Sequence, residues 1–395
     1  MIFSPHFVRG FFVLQKVLKY GIVIYANMSE LVLYRKHRPR DFDEVVGQEH
    51  VVGAIKNSLA TGRIAHAYLF SGPRGVGKTT IARLMAKALN CESGHSQPCN
   101  KCLSCSNLNE GKAFDLVEID AASNRGIDDI RALRDAVRFV PMQGRYKTYI
   151  IDETHMLTPP AFNALLKTLE EPPPHVVFIL ATTELDKMPA TIVSRTQRYD
   201  FHRPTVKQIT DRLSHIAKKE GLTLENDAAR LIALAAEGGL RDAESILGQI
   251  MAVEDSHITR QEVESILGMP RREAVKMMFS HIAKKNAPAS LALVQELTDA
   301  GCDPRSLSKL LVRYFRAAFF LKTDPSLMRF LENELLPDEI EHITAHTAFF
   351  TESQLSNGLN IILANMSQFK NPPLPQLPLE LTLIELINGT ADKLQ

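Results

Sequence analysis

Charge imbalance is nearly absent from this chain: 46 basic residues against 45 acidic ones leave a net charge of +1. Any contact with nucleic acid therefore has to come from a local basic patch, not from a global field. Cysteine is scarce, with five in 395 residues, and four of the five fall within residues 91–105. So uneven a distribution does not make a secreted disulfide framework; a reducing compartment with a metal site fits better. Long apolar runs are also missing. The stretch FFVLQKVLKYGIVIYA near the N-terminus is broken by Lys16 and Lys19, which makes it too short and too interrupted to span a bilayer. It also lacks the clean apolar core and cleavage site of a signal peptide. We read residues 1–27 as a non-native upstream start, with Met28 as the functional first residue, or else as a poorly ordered arm. No low-complexity segment and no internal repeat stands out. PPLPQLP (372–378) reads as a rigid connection, and the glycosylation sequon NGT (388–390) carries no meaning in a cytosolic protein.

What remains is an ordinary globular composition, 45% apolar and 23% charged, at a length that suggests two or three domains. Short apolar runs alternate with helical patterns over residues 28–203, the sign of a parallel α/β sheet. The candidate strands are AYLFS (67–71), FDLVEID (114–120), YKTYIID (146–152), HVVFILATT (175–183) and QRYDF (197–201). Between the third and fourth, Phe162, Leu165, Leu166 and Leu169 follow the spacing of an amphipathic helix, which Pro160 can start and Pro172 to Pro174 stop. From 204 to 270 the pattern is all helical, and it is helical again over 271–395, with the break placed at GMP (268–270).

The segment GPRGVGKT, from Gly72 through Pro73, Arg74, Gly75, Val76, Gly77 and Lys78 to Thr79, fits the phosphate-binding pattern G-x-x-x-x-G-K-[ST] in full. It follows a candidate strand and leads, through Thr80, into a helix, the context that the motif requires. Its glycines let backbone N–H groups approach phosphate oxygens, and the helix N-terminus adds its positive dipole end. Lys78 can reach the β- and γ-phosphates of ATP, and the Thr79 hydroxyl can ligate Mg²⁺. The apolar strand that ends in Asp152 and Glu153 supplies two carboxylates: Asp152 for the Mg²⁺ shell and Glu153 to orient and polarise an attacking water.

Cys91, Cys99, Cys102 and Cys105 give C-x₇-C-x₂-C-x₂-C. Four thiolates suit a tetrahedral structural Zn²⁺, and they leave no open position for a catalytic one. An iron–sulfur cluster is the rival reading. His95, inside the loop, reads as a solvated residue, and Cys302 as a small packed one.

Together these residues resemble the gamma/tau subunit family of bacterial DNA polymerase III, the ATPases of the sliding-clamp loader. The resemblance rests on YRKHRPRDFDEVVGQEHV, GRIAHAYLFSGPRGVGKTTIARLMAKALNC, VEIDAASNRGIDDIR, IDETHML, FNALLKTLEEPPPHVVFILATT and GGLRDAES. It is dense over residues 28–255 and looser beyond. It implies an α/β AAA+ P-loop NTPase domain (28–203) with a parallel five-stranded sheet and a zinc module (91–105) inserted in the first crossover. An all-α lid (204–270) and an all-α collar (271–395) would follow. Further roles follow from the resemblance: Thr183 as a γ-phosphate sensor, with a shift to Thr182 left open; Arg241 as a second sensor in the lid, where pairing with a nearby acid is the competing reading; and Arg195 as an arginine finger acting on ATP in a neighbouring subunit. The family reads Ser-Arg-Cys where this chain has Ser194, Arg195 and Thr196. Tyr34, Arg38, Pro39, Val45 and Val46 become candidates for adenosine contacts.

The implied partners are delta- and delta-prime-type loader subunits, copies of the chain itself, the sliding clamp and primer–template DNA, with no membrane. The implied cofactors are Mg²⁺ and Zn²⁺ alongside ATP, and the implied location is the cytoplasm, at replication forks on the nucleoid. The chain resembles the short gamma-like form, and no polymerase active site is visible in it. Two other readings stay open: a subunit that binds nucleotide without hydrolysing it, and an unrelated P-loop motor such as a helicase.

Overall fold

The structure is a computed structural model that describes residues 32–389 apart from 95, 254–255, 268–271, 332–334 and 336. The expectations for residues 1–27 and Met28, for His95, for the break at 268–270 and for the last residue of the sequon lie outside the described residues.

Five parallel strands form the central sheet in the order β2-β3-β4-β1-β5. They are β1 (Ala67–Ser71), β2 (Leu116–Asp120), β3 (Lys147–Asp152), β4 (Val176–Thr182) and β5 (Gln197–Asp200), each inside its expected run. Two of the three inner strands, β1 and β4, are buried along their whole length, which is why they read as unbroken apolar runs and not as alternating ones. The alternation is still present in three dimensions. Tyr68, Phe70, Ile150, Val177 and Ile179 point to one face, under α2 (Glu49–Thr61) and α3 (Lys78–Leu89). Leu69, Tyr149, Ile151, Phe178 and Leu180 point to the other, under α5 (Ile127–Val137) and α6 (Pro159–Glu170). Helix α6 has Pro159 and Pro160 in its first turn, where no backbone donor is wasted, and it ends before Pro172. Short helices α1 (Leu33–Lys36), α4 (Leu103–Asn109) and α7 (Ala190–Val193) complete this part of the chain.

Four helices follow around a separate apolar cluster: α8 (Val206–Lys219), α9 (Asn226–Ala235), α10 (Leu240–Met251) and α11 (Arg260–Ile266). One expectation is corrected here. The segment is not wholly helical, because β6 (Thr223–Leu224) and β7 (His257–Ile258) pair in parallel. A ladder of two residues per strand has no periodicity to leave in a sequence.

The last cluster lies among α12 (Arg272–Ala283), α13 (Ala287–Asp299), α14 (Pro304–Thr323), α15 (Pro337–Thr347), α16 (Glu352–Asn365) and α17 (Leu377–Gly389). Phe279, Tyr314, Phe315 and Phe350 meet there with ring centroids 5.5–5.8 Å apart. Cys302 packs against this cluster, half-buried. The proline-rich run ends inside α17, whose second residue is Pro378.

Candidate nucleotide site and cysteine module

The sheet order places the carboxyl ends of β1, β4 and β3 side by side, and the chemistry-bearing residues sit on those ends. After β1 the chain turns through the glycine-rich loop. Gly72, at φ +144°, lies against β5: a Cβ there would stand 2.4 Å from the Phe201 carbonyl oxygen. Gly77, at φ +102°, turns the chain into α3, whose first residue is Lys78. The Lys78 side chain is 6% exposed. Its ammonium donates to the carbonyls of Gly72 and Pro73, each at 2.7 Å. Burial lowers its pKa, while Glu153 and Asp152 oppose the shift.

Thr79 donates its hydroxyl to Asp152 Oδ2 at 2.7 Å. Asp152 ends β3, and the next residue, Glu153, takes a left-handed backbone at φ +47°. That conformation is uncommon for a residue with a side chain and is a form of local strain. Thr183 donates to Glu153 Oε2 at 2.9 Å. Thr182 is buried and instead meets His155 Nδ1 at 3.0 Å and the Glu184 backbone N–H at 3.1 Å. Of the two threonines, it is Thr183 that reaches Glu153. His155, which the sequence did not single out, lies behind the carboxylate, with Nδ1 3.5 Å from Glu153 Oε2.

Arg74, Gly75, Val76, Gly77, Lys78, Thr79, Thr80, Asp152 and Glu153 line a cleft that encloses about 950 Å³, open solvent included. Tyr34, Arg38, Pro39, Val45 and Val46 form another wall. The third wall comes from α8 and α10 and includes Arg241. The Arg241 guanidinium lies 4.7 Å from the Tyr34 ring centroid, with Nη2 3.5 Å from the Tyr34 hydroxyl. Its partner is thus a tyrosine and not an acid. The Arg241 backbone N–H also reaches the Gly75 carbonyl at 3.4 Å, joining the start of α10 to the phosphate-type loop.

Glu44, Arg212, Leu240 and Glu244 line the cleft too, and sequence reasoning missed them. Arg212 and Glu244 form a buried ion pair at 3.1 Å, and Arg212 also donates to the His37 carbonyl. Burial raises the Glu244 pKa, and Arg212 opposes the shift. The available signal was a pair of charges on the inner faces of two amphipathic helices. Arg195 stands apart from the cleft. It follows α7, is about a third exposed, and binds Glu170 Oε1 at 2.8 Å and the Thr191 carbonyl at 2.9 Å.

Beyond the far end of α3 the four cysteines converge, with all Sγ atoms within 4.8 Å of one another. Metal–sulfur bonds of about 2.3 Å in a tetrahedron require sulfur–sulfur edges of about 3.8 Å, and Cys99 and Cys105 already stand 3.9 Å apart. Backbone N–H groups aim at the sulfurs: those of Lys101 and Cys102 at Cys99, and that of Cys105 at Cys102, all at 3.4–3.5 Å. The Lys101 and Cys102 donors bring the Cys99 thiol down to about 6. A donor set of four sulfurs, with no disulfide among them, fits a tetrahedral Zn²⁺.

Three family models match in series. They are DNA polymerase III delta subunit over residues 47–205, DNA polymerase III clamp loader subunit ATPase lid domain over 208–255, and DNA polymerase III subunits gamma and tau domain III over 258–394. A DNA polymerase III subunit gamma from Buchnera aphidicola (subspecies Schizaphis graminum) is 35% identical over 363 residues, covering 91% of this chain and 99% of the relative. The chain belongs to the DNA polymerase III gamma/tau family. The tau subunits of Bacillus subtilis and Escherichia coli are 46% and 47% identical over 77% and 71% of this chain. The chain spans about half the length of these gamma/tau relatives, 54% and 44% respectively. The parallel five-stranded sheet with its phosphate-type loop is the α/β architecture that the family resemblance implied. Among the described residues no helix is long and apolar enough to cross a membrane.

Proposed function

We propose that this chain is an ATPase subunit of a DNA polymerase III clamp loader, in which ATP binding and hydrolysis drive loading of a sliding clamp onto primed DNA. The observation that carries the reading is the convergence of Lys78, Thr79, Asp152, Glu153 and Thr183 at the carboxyl ends of three adjacent strands. Gly72 to Thr80 would cradle the phosphates, and Lys78 would exchange its two loop carbonyls for phosphate oxygens. Thr79 and Asp152, already hydrogen-bonded to each other, are the groups that would hold Mg²⁺, which supplies charge neutralisation on the phosphates. Glu153 would orient the attacking water and accept its proton. Thr183 occupies one of its oxygens and leaves the other for that water.

Tyr34, Arg38, Pro39, Val45 and Val46 would flank the adenosine, and Arg241 would bring the helical lid onto the nucleotide. Arg195 lies outside its own cleft, which supports a role on ATP held by a neighbouring subunit, where a permanently charged, forked side chain offsets charge on the transferring phosphoryl group. We read residues 28–203, 204–270 and 271–395 as the AAA+ domain, lid and collar. Delta- and delta-prime-type subunits, further copies of the chain, the clamp and primer–template DNA would be its partners, in the cytoplasm at the nucleoid. Cys91, Cys99, Cys102 and Cys105 would hold Zn²⁺.

The test is steady-state ATP hydrolysis by the chain assembled with the other loader subunits of its organism, with and without clamp and primed DNA. Stimulation that requires both ligands and collapses in an Arg195→Ala assembly is the expected result. Turnover indifferent to the clamp, or unchanged without Arg195, would overturn the reading.

A further inference from the structure

Lys87 is the least expected residue in α3. It lies in the last turn of the helix that begins with Lys78, and it is 1% exposed. Its ammonium has three hydrogen-bond acceptors: the Arg40 carbonyl at 3.0 Å, Asn109 Oδ1 at 2.5 Å, and Asn100 Oδ1. All three are neutral oxygens. A buried cation without a carboxylate partner is costly unless an anion lies close by. Asp41 acts on Lys87 without a hydrogen bond to it, and Cys105 of the sulfur cluster acts more strongly. Asn100 lies between Cys99 and Cys102 and is held in the left-handed region at φ +58°, and Asn109 ends the short helix α4 that carries Cys105. Four thiolates around a divalent ion sum to two negative charges. Two of the three acceptors of Lys87 are thus carried by the same loop and short helix as the sulfurs.

The third acceptor faces the other way. Arg40 belongs to the segment whose Arg38, Pro39, Glu44, Val45 and Val46 wall the cleft. A second tie joins the same two parts: Gln97, in the cysteine loop, donates to Asp43 Oδ2 at 2.7 Å. Lys56 of α2 holds the other oxygen of Asp43 at 2.5 Å. The cysteine loop is therefore fastened twice to the strap that walls the cleft, once through a buried cation and once through an exposed amide.

We propose that Lys87 is the counter-charge of the metal–tetrathiolate and that, through it, the metal module braces the 38–46 strap of the nucleotide cleft. Metal occupancy then sets nucleotide affinity. Lys87 is a positioning residue in this scheme: it touches neither nucleotide nor metal, and acts through Asn100, Asn109 and Arg40. The second half of the proposal rests on the reading of the cleft as an ATP site.

The test uses the full chain in four forms: unaltered, Lys87→Met, Lys87→Arg and Cys102→Ser. Zinc content per chain, the rate of zinc loss to a chelator, and equilibrium binding of a fluorescent ATP analogue are measured on each, with circular dichroism as the check on folding. Lys87→Met keeps the length of the side chain and removes the charge. It should weaken zinc retention roughly 10–100-fold, the usual effect of removing an outer-shell partner, and weaken the analogue in parallel. Lys87→Arg should restore much of both, which a purely steric role would not produce. Cys102→Ser should lose zinc and weaken the analogue about as much as Lys87→Met. Zinc held as tightly by Lys87→Met as by the unaltered chain would overturn the counter-charge. A folded, zinc-free Cys102→Ser chain with unchanged analogue affinity would overturn the brace. Failure of the unaltered chain to bind the analogue would instead sink the ATP reading, while the zinc measurements would still decide the role of Lys87. If Cys102→Ser does not fold, chelation of the unaltered chain provides the same comparison.

Discussion

Glu153 shows how much one position has to satisfy. Its backbone is in the left-handed region, its carboxylate accepts from Thr183, and His155 closes the space behind it. The strain fixes the direction of the side chain, and the threonine fixes its rotation. Replacing Glu153 by Gln keeps shape and hydrogen bonding but removes the group proposed as the proton acceptor. ATP binding should therefore stay within about twofold, while turnover falls by roughly 100-fold or more. Thr183→Val removes only the hydroxyl that holds the carboxylate, so turnover should fall by roughly 10-fold, again with little change in binding. Single-turnover hydrolysis alongside equilibrium binding separates the two effects. A Thr183→Val chain that loses binding and keeps its rate would mean that the hydroxyl serves the nucleotide and not Glu153. The sequence marked Lys78, Thr79, Asp152 and Glu153 through contiguous motifs. It could not choose between Thr182 and Thr183, because a one-residue register on a strand end is decided by a contact with another strand. Arg212 and Glu244 were hidden for a related reason: a charge on a helix looks solvated until its partner on the neighbouring helix is seen.

At the scale of elements, the strands were legible because both faces of the sheet are covered, which turns each inner strand into a continuous apolar word. Helix α6 was legible from its spacing and its proline punctuation. The β6–β7 ladder was not, being too short to carry a period. The packing of α12 on α15 was equally invisible, and it holds a titratable device. His346 Nδ1 lies 2.9 Å from the His342 carbonyl, which can only accept, so this nitrogen carries the proton. The Ser280 hydroxyl, which donates to the Lys276 carbonyl at 2.9 Å, lies 3.1 Å from His342 Nε2 and 3.0 Å from His346 Nε2. His342 Nδ1 is left buried without a partner. Burial, with His346 and Lys276 nearby, pulls His342 down to about 4. The ordinary value in an unfolded chain is about 6.5, so the folded state binds fewer protons between these values. Stability is therefore present above about pH 6.5 and is lost as pH falls toward 4. Thermal melting of the full chain should move to lower temperature from pH 7 to pH 5, and His342→Leu should flatten that slope. An unaltered slope in His342→Leu would place the acid sensitivity elsewhere.

At the scale of the whole molecule, the cleft is assembled from segments that are remote in sequence: residues 34–46, the loop with the ends of β1 and β3, and the helices that carry Arg212 and Arg241. No motif contains it, since only folding brings the first and last of these together. The Tyr34–Arg241 contact is where they meet, with the guanidinium 4.7 Å from the ring centroid. Phosphates in the glycine-rich loop would compete for that guanidinium, because a phosphate is a stronger partner for it than a neutral ring. Nucleotide binding should therefore change the environment of the ring, and composition makes the change easy to see. The chain has no tryptophan, so Tyr34→Trp introduces a single indole at the junction. Its emission should shift on addition of ATP with Mg²⁺. The shift should disappear when Lys78→Ala is added and shrink when Arg241→Ala is added, since the first removes the phosphate anchor and the second removes the group that leaves the ring. Emission that stays constant at ATP concentrations shown to saturate by equilibrium dialysis would mean that the strap and the lid do not register the nucleotide between them. The coupling would then have to run through the Arg241 backbone contact to Gly75 alone.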